Sequence, residues 1–143
     1  MNTCALATGA LIDQDFRIVE LEGDLPDGGG RTTQELRVAG PTAYLAAKAD
    51  ALRRRNKNKD AYDLIGLAEC WPGGPTALAA EIKASNIFSE LTATLDILRE
   101  EFATIDAAGA VKYGRFMATD SEGQDAAAQR AVGAFRARFS ALA

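Results

Sequence analysis

The sequence predicts a mostly helical α+β domain, in which an N-terminal β-hairpin or small antiparallel sheet packs on a bundle of five to six helices. Two segments of strand character, 15–22 and 31–39, flank a glycine-rich turn. Beyond them, apolar residues recur every three to four positions, as in amphipathic helices. A length of 143 residues suits a single domain. We therefore expect a hairpin region over residues 1–40 and a helical region over residues 41–143.

The hairpin region is predicted from its alternation and its turn. Segment 1–10 is small and apolar, which suggests a weak strand, and hence a three-stranded sheet, or a short helix. The strand DFRIVELE at 15–22 has the period-2 pattern of a strand with one face in water. The turn GDLPDGGG at 23–30 contains residues that tolerate positive φ. The second strand, 31–39, carries Thr and Val and completes the hairpin.

The helical region begins at Pro41, which suits the first turn of a helix. One segment should form a long helix at the centre of the core, because six apolar residues recur along it at helical steps: Ile87, Leu91, Leu95, Leu98, Phe102 and Ile105. The predicted helices cover residues 41–54, 59–70, 76–84, 86–105, 111–118 and 124–142.

The composition excludes several classes of chemistry. The chain has no histidine, so imidazole bases and the commonest metal ligand are absent. Cys4 and Cys70 are too few for a disulfide framework or a zinc site. No apolar run approaches the ~20 residues needed to span a bilayer, and no signal peptide is evident. We expect a cytoplasmic protein that does not bind membranes and whose chemistry uses carboxylates, lysine, arginine and a divalent ion.

The charge is unevenly distributed along the chain. Segment 48–60 carries six basic residues against Asp50 and Asp60, a balance of +4, which leaves −8 for the remainder of a chain whose net charge is −4. The six basic residues are Lys48, Arg53, Arg54, Arg55, Lys57 and Lys59. One basic patch on an acidic protein favours a local anion site over general nucleic-acid coating. The alternative is that these basic residues only form a solvent-exposed turn and bind no ligand.

Lys48 is the first candidate functional residue. It lies in an apolar stripe, four residues after Tyr44 and four before Leu52. An ammonium in such a place needs an anionic partner, unless its methylenes pack and its head group reaches water at the rim. Arg55 follows at i+7 on the same face, where it could hold a phosphate with two hydrogen bonds.

Two carboxylates complete the predicted cluster. Asp60 and Asp63 are i, i+3 neighbours, so they should lie on one side of a helix. There they could hold a cation, orient Lys48 or accept a proton from an attacking hydroxyl. The alternative is that they only complement the N-terminus of that helix.

Segment 37–67, RVAGPTAYLAAKADALRRRNKNKDAYDLIGL, resembles the C-terminal half of nucleotidyltransferase-like proteins of the abortive-infection AbiEii type, which are toxins of bacterial toxin-antitoxin pairs. In that family a K-x-x-A-L helix precedes R-x-K-x-K-D-A-Y-D-L. The upstream residues from 19 onward also look like the family's hairpin. The matching positions here are Lys48, Ala51, Leu52, Arg55, Lys57, Lys59, Asp60, Ala61, Tyr62, Asp63 and Leu64.

The resemblance implies a polymerase-β-type core with an appended helical part. It also implies transfer of a nucleotide from a Mg²⁺-bound nucleoside triphosphate to an acceptor such as RNA. By resemblance, Lys48, Arg55 and Lys59 would contact the triphosphate, and Asp60 and Asp63 would be the catalytic carboxylates. Such transfer depends on metal and cation stabilisation of phosphate charge, so it needs no histidine.

The sequence departs from the family at its metal-binding element, a glycine pair followed at a distance by D-x-D. Here Gly9 is followed too closely by Asp13 and Asp15, so the metal ligands are not identified, although these two aspartates are candidates. We therefore expect a nucleotidyltransferase-like protein that is incomplete or inactive alone, with an antitoxin or a separate N-terminal half as a further partner. A third option is that Asp13 and Asp15 complete a minimal transferase. The alternative function is a non-catalytic helical interaction module that forms a homo-oligomer or binds a partner protein.

Overall fold

The computed structural model describes residues 7–139 and residue 142. Two antiparallel strands, β1 (Phe16–Asp24) and β2 (Arg31–Ala39), pair along their whole length, with Phe16 opposite Ala39 and Asp24 opposite Arg31. The predicted hairpin is thus confirmed, and the sheet described has two strands. Ala7–Asp13 form a 3₁₀ turn before β1. The rest of the prediction for segment 1–10, including Cys4, lies outside the described residues.

The hairpin is exposed on both faces, so the prediction of a strand with only one face in water is wrong. Phe16 and Ile18 on one face are 41% and 53% exposed, and Leu21, Leu36 and Val38 on the other are 45–52% exposed. The reason is that the helices bury their apolar residues against one another, and the hairpin meets them only at its foot. There the Gly40 amide donates to the Asp15 carbonyl at 2.8 Å.

Six α-helices follow the hairpin, which confirms the predicted α+β class. Their bounds lie close to the predicted ones except in the fourth helix. None of the described helices is long and apolar enough to cross a membrane. The helices are α1 (Pro41–Arg54), α2 (Asn58–Cys70), α3 (Gly74–Ala84), α4 (Thr92–Glu101), α5 (Ala108–Met117) and α6 (Ser121–Phe139).

The predicted long helix over 86–105 is wrong in its extent. A 3₁₀ turn at Phe88–Leu91 precedes α4, which ends at Glu101, and Ile105 is 45% exposed. The helix ends there because α5 crosses its C-terminus: a Cβ on Gly109 would lie 2.7 Å from the Glu101 carbonyl oxygen. The other five apolar residues of the pattern are buried as expected: Ile87, Leu91, Leu95, Leu98 and Phe102.

The core lies among the helices. Leu52 and Leu64, from α1 and α2, are at most 1% exposed. Phe102 stacks on Phe135 of α6, with ring centroids 5.6 Å apart. Because α1 and α2 are fixed in this core on their apolar faces, their polar faces are held in one relative position. The candidate site lies on those polar faces.

Candidate functional site

The ammonium of Lys48 on α1 contacts two carboxylates of α2. Its Nζ lies 3.2 Å from Oδ1 of Asp60 and 2.5 Å from Oδ2 of Asp63. The expectation that Lys48 has an anionic partner is confirmed. Neither carboxylate caps α2, because its N-cap residue is Lys57 and no side-chain cap bond is formed. Both carboxylates bind cations, and Asp60 also lies in the first turn of α2, where an acidic side chain complements the helix dipole.

Two further cations complete what we call the Lys48 network, comprising Lys48, Arg55, Lys59, Asp60 and Asp63. Nη2 of Arg55 lies 2.8 Å from Oδ1 of Asp60, and Nζ of Lys59 lies 2.6 Å from Oδ1 of Asp63. Arg55 was expected on the Lys48 face by helical periodicity, but α1 ends one residue earlier and Arg55 is extended. It still reaches the network, because Asp60 lies only five residues ahead. All five residues predicted as catalytic or nucleotide-binding therefore converge.

Burial within the network decreases from the carboxylates toward the cations. The side chains of Asp60 and Asp63 are 4% and 8% exposed, that of Lys48 is 23% exposed and that of Lys59 is 64% exposed. Burying charges is costly unless they are paired, so the carboxylates depend on these contacts. Three cations against two carboxylates leave the network with a formal charge of +1, and its accessible rim is cationic.

The ion pairs set the protonation of the network. Burial alone would lower the pKa of the Lys48 ammonium, but its hydrogen bonds to Asp63 and Asp60 outweigh this and raise its pKa. Burial would raise the pKa of the Asp63 carboxyl, but hydrogen bonds from Lys48 and Lys59 outweigh it and lower that pKa. Both groups are therefore charged across the physiological pH range.

Two polar atoms of the network have no hydrogen-bond partner among the described residues. These are Oδ2 of Asp60 and Nε of Arg55, and both are buried. Buried polar atoms are usually paired, with protein or with water. The network therefore has unused donor and acceptor capacity beside its charged groups.

The basic patch is more neutralised than the sequence suggested. Five of its six cations pair with carboxylates within the described part of the chain. Besides the three network cations, Arg54 pairs with Asp50 of its own helix at 2.6 Å, and Arg53 pairs with Glu100 of α4 at 2.5 Å. Lys57 has no carboxylate within 4 Å among the described residues. Part of the patch thus connects α1 to α2 and α4, and the cations left for an anion are Lys57 and those at the network rim.

Lys112 of α5 was not identified from the sequence. Its Nζ donates to the carbonyl oxygen of Leu52 at 2.7 Å and to that of Arg55 at 3.4 Å, at the C-terminus of α1. A cation at this position satisfies carbonyls that have no partner within the helix and opposes the negative end of the helix dipole. It fixes the backbone from which Arg55 reaches Asp60. No local pattern marks a residue 57 to 60 positions away.

A cleft of about 240 Å³ adjoins the network between the hairpin foot and the helices. Asp63 lines it, and the Lys48 ammonium lies 5.8 Å from the centroid of the Tyr44 ring, another lining group. The cleft thus combines an apolar, aromatic interior with a charged edge. Its lining residues are Val38, Ala39, Pro41, Tyr44, Asp63, Leu67 and Trp71.

Asp13 and Asp15, the candidate metal ligands, contact other protein groups. Oδ2 of Asp15 accepts the backbone N–H of Ala43 at 2.8 Å, in the first turn of α1. Asp13 is exposed and lies 3.4 Å from Arg37. Neither aspartate lies against the Lys48 network.

The residues present do not fit a resident magnesium ion. Mg²⁺ takes oxygen ligands, and the Lys48 network offers two carboxylates that already hold three cations. Within residues 7–139, no three histidine, cysteine, aspartate or glutamate side chains are grouped so that they could hold a metal ion.

Three comparisons with known proteins bear on the family. No family model matches the chain, and no curated protein and no solved structure matches it.

Proposed function

We propose that this chain is the nucleotide-facing, C-terminal part of a nucleotidyltransferase-like protein of the toxin-antitoxin type, and that it binds a nucleoside triphosphate without completing the transfer alone. One observation carries the proposal. The polar residues of the K-x-x-A-L and R-x-K-x-K-D-A-Y-D-L segments meet in one network, at the edge of a cleft that suits a base.

The cleft would take the base. Its volume of about 240 Å³ is somewhat below the ~300 Å³ at which drug-sized pockets begin. It therefore suits one heterocycle rather than a whole nucleotide. Tyr44 and Trp71 supply aromatic surface, on which bases of any identity stack. The phosphates would then extend toward the charged edge.

The network rim would take the phosphates. Lys48 and the exposed Lys59 can each exchange a contact with Asp63 for one with a phosphate oxygen, while Arg55 keeps Asp60 neutralised. The magnesium ion implied by the resemblance would arrive with the triphosphate, since the chain's own carboxylates do not fit it. An RNA acceptor, an antitoxin and an N-terminal catalytic half belong to the same proposal as partners.

The test is a titration with each nucleoside triphosphate and Mg²⁺, followed by calorimetry and by intrinsic fluorescence. Trp71 is the only tryptophan, so its emission reports directly on the cleft. We expect weak binding with quenching, which is lost in Lys48→Ala and weakened in Tyr44→Ala. Lys83→Ala, on the exposed side of α3, is the matched control and should bind like the wild type.

Because Lys48→Ala removes one of the two cations that each buried carboxylate contacts, its folding must be checked by circular dichroism. If it is unfolded, Lys59→Ala replaces it, since that side chain is 64% exposed and its removal leaves Lys48 in place. Unchanged binding in a folded Lys48→Ala protein, or in the Lys59→Ala protein that replaces it, would overturn the proposal. Absence of binding to the wild type would overturn it as well, and would favour the interaction-module function.

A further inference from the structure

The outer edge of β2 is an unused hydrogen-bonding edge. In an antiparallel ladder, alternate residues of a strand bond to the partner strand and the others point outward. The Gly40 amide bonds to the Asp15 carbonyl and the Leu25 amide to the Gly30 carbonyl. These bonds show which opposite residues form hydrogen-bonded pairs, and every second pair along the ladder is of this kind. Even-numbered residues of β2 therefore bond to β1, and Thr33, Glu35, Arg37 and Ala39 direct their N–H and C=O groups outward.

This edge is open along most of its length. From Thr33 to Val38 every residue of β2 is exposed, and in the described part of the chain no backbone bond outside the hairpin ladder involves these residues. A two-stranded ribbon is marginally stable in water and gains from further strands. An open, long edge with apolar neighbours also favours pairing with another strand.

A like-charge contact inside the hairpin suggests what is missing. Glu20 and Glu35 lie directly opposite each other on β1 and β2. By the same alternation they form a non-hydrogen-bonded pair, in which side chains are closest, so their repulsion is unfavourable. No cation contacts either carboxylate within 4 Å among the described ion pairs. A cation from a neighbouring strand would compensate this pair.

The sequence of β2 supplies that cation when a second copy of the strand pairs with it about a two-fold axis at Leu36. In this register Glu35 lies opposite Arg37 of the second copy, and Arg37 opposite its Glu35, so two opposite-charge pairs form. The Arg37 side chain already lies on the same face of the sheet as Glu35. Its guanidinium lies 3.8 Å from the centroid of the Phe16 ring, which is on that face. The outward-pointing residues also meet as hydrogen-bonded pairs, as the ladder requires.

The same register aligns the apolar residues of the other face. Leu36 lies opposite Leu36 of the second copy, and Val19 lies opposite Leu36 within each hairpin. A row of four apolar side chains then crosses the four strands. Other two-fold registers are less favourable: an axis at Glu35 or Arg37 brings like charges together, and one at Gln34 pairs Arg37 with Arg31. An axis at Thr33 pairs Glu35 with Arg31, but it overlaps only residues 31–35 of each strand. On β1, an axis at Glu20 or Leu21 opposes glutamates, and one at Ile18 or Val19 forms no opposite-charge pair.

We propose that the occupant of the β2 edge is a second copy of this chain, and that two hairpins form a four-stranded antiparallel sheet centred on Leu36. This dimer does not depend on nucleotide binding, and it uses a strand edge rather than the helices. It places the two helical regions at opposite ends of the shared sheet, with the Lys48 network outside the contact. A strand from a different protein is the competing occupant.

The test is a charge exchange at the edge, measured by sedimentation equilibrium of the full chain. The wild type should dimerise. Glu35→Arg and Arg37→Glu should each raise the dimer dissociation constant by about tenfold or more, because each turns two attractive pairs into two repulsive ones. The double variant Glu35→Arg with Arg37→Glu should recover dimerisation, since it restores both pairs with reversed charges.

Glu20→Arg is the matched control. It makes the same charge change on the opposite strand and relieves the same repulsion within the hairpin, but it does not lie on the β2 edge. Its dimer dissociation constant should rise much less than that of Glu35→Arg, because Glu35 still lies opposite Arg37 of the second copy. Glu35→Arg should remain folded because it faces Glu20, so loss of its dimer cannot be attributed to unfolding.

Amide hydrogen exchange gives an independent measurement. The amides of Thr33, Glu35, Arg37 and Ala39 should be protected only at concentrations where the dimer forms, whereas those of Leu36 and Val38 should be protected at all concentrations. A wild-type monomer would overturn the proposal and favour another protein as the occupant. A dimer insensitive to both single variants, or not recovered by the double variant, would overturn the register.

Discussion

Nζ of Lys48 lies between two buried carboxylates, 3.2 Å from Oδ1 of Asp60 and 2.5 Å from Oδ2 of Asp63. One side chain of α1 therefore bonds to two carboxylates of α2, each of which also pairs with a second cation. Removing one partner of a buried ion pair costs more than the pair contributes, because the remaining charge is left without compensation. The stability of the fold and the geometry of the candidate site thus both depend on Lys48.

The first prediction concerns this dependence. Lys48→Met keeps the methylenes but removes the ammonium and its two charged hydrogen bonds, while each carboxylate keeps one other cation, so it should lower the free energy of unfolding by about 2 kcal/mol. Lys59→Met removes an exposed cation from Asp63 and should cost less than about 1 kcal/mol. Denaturant unfolding measures both. Equal losses in the two variants would contradict the assignment of Lys48 as the central cation.

The second prediction concerns acid. Because the folded state holds the pKa of Asp63 below its ordinary value, the unfolded state takes up this proton first as the pH falls. The stabilisation is complete above the unfolded pKa of about 4 and is lost as the pH falls through the folded pKa. Asp63→Asn should therefore show a smaller loss of stability below pH ~4 than the wild type.

The control for that experiment is Asp96→Asn, which removes an exposed carboxylate of α4 that pairs with Arg99 three residues later. Its stability should follow the wild-type pH dependence. The measurement is denaturant unfolding at a series of pH values. Parallel curves for Asp63→Asn and the wild type would show that the network does not contribute to acid sensitivity.

The third prediction concerns the junction between hairpin and helix. A Cβ on Gly40 would lie 2.2 Å from Oδ1 of Asp15, and Asp15 in turn caps α1 through the Ala43 amide. Asp15→Ala should cost about 1 kcal/mol, the usual value of a cap. Gly40→Ala should also destabilise, because it displaces that carboxylate. The double variant should lose less than the sum of the two, since both changes remove the same bond.

The fourth prediction concerns the contact between α5 and the end of α1. Lys112→Met removes the ammonium that bonds to the Leu52 and Arg55 carbonyls and should cost about 1–2 kcal/mol. Arg115→Met changes an exposed cation on the same helix and should stay within about 0.5 kcal/mol of the wild type. Equal effects of both substitutions would show that the Lys112 bonds contribute nothing specific.

Local signals predicted most of the fold. The glycine-rich turn and the alternation around it located the hairpin, and Pro41 marked the first residue of α1. The failures arose where distant contacts overrode local pattern. The periodicity through Ile105 continued past Glu101, but the crossing of α5 ends α4 there. The hairpin pattern was correct in its two strands and its turn, yet it could not show that nothing within the described chain covers either face.

The candidate site was predictable in membership but not in geometry. The need of Lys48 for an anion followed from its place in an apolar stripe, and the i, i+3 spacing placed Asp60 beside Asp63. How α1 and α2 cross determines whether these groups meet, and no sequence spacing specifies a crossing angle. Trp71 was not identified from the sequence as part of the site, because its place in the cleft depends on the position of the hairpin foot.

The order of contacts along the chain bears on how the molecule assembles during synthesis. The Lys48 pairs close intervals of only 12 and 15 residues, and contacts across such short intervals form on a timescale of about 10–100 ns. The contacts of Lys112 to α1 and of Arg130 to Glu69 span 57 to 61 residues. Because the N-terminal part leaves the ribosome first, the charged network can form before α5 and α6, which support it, have been made. During that interval the network is exposed to solvent.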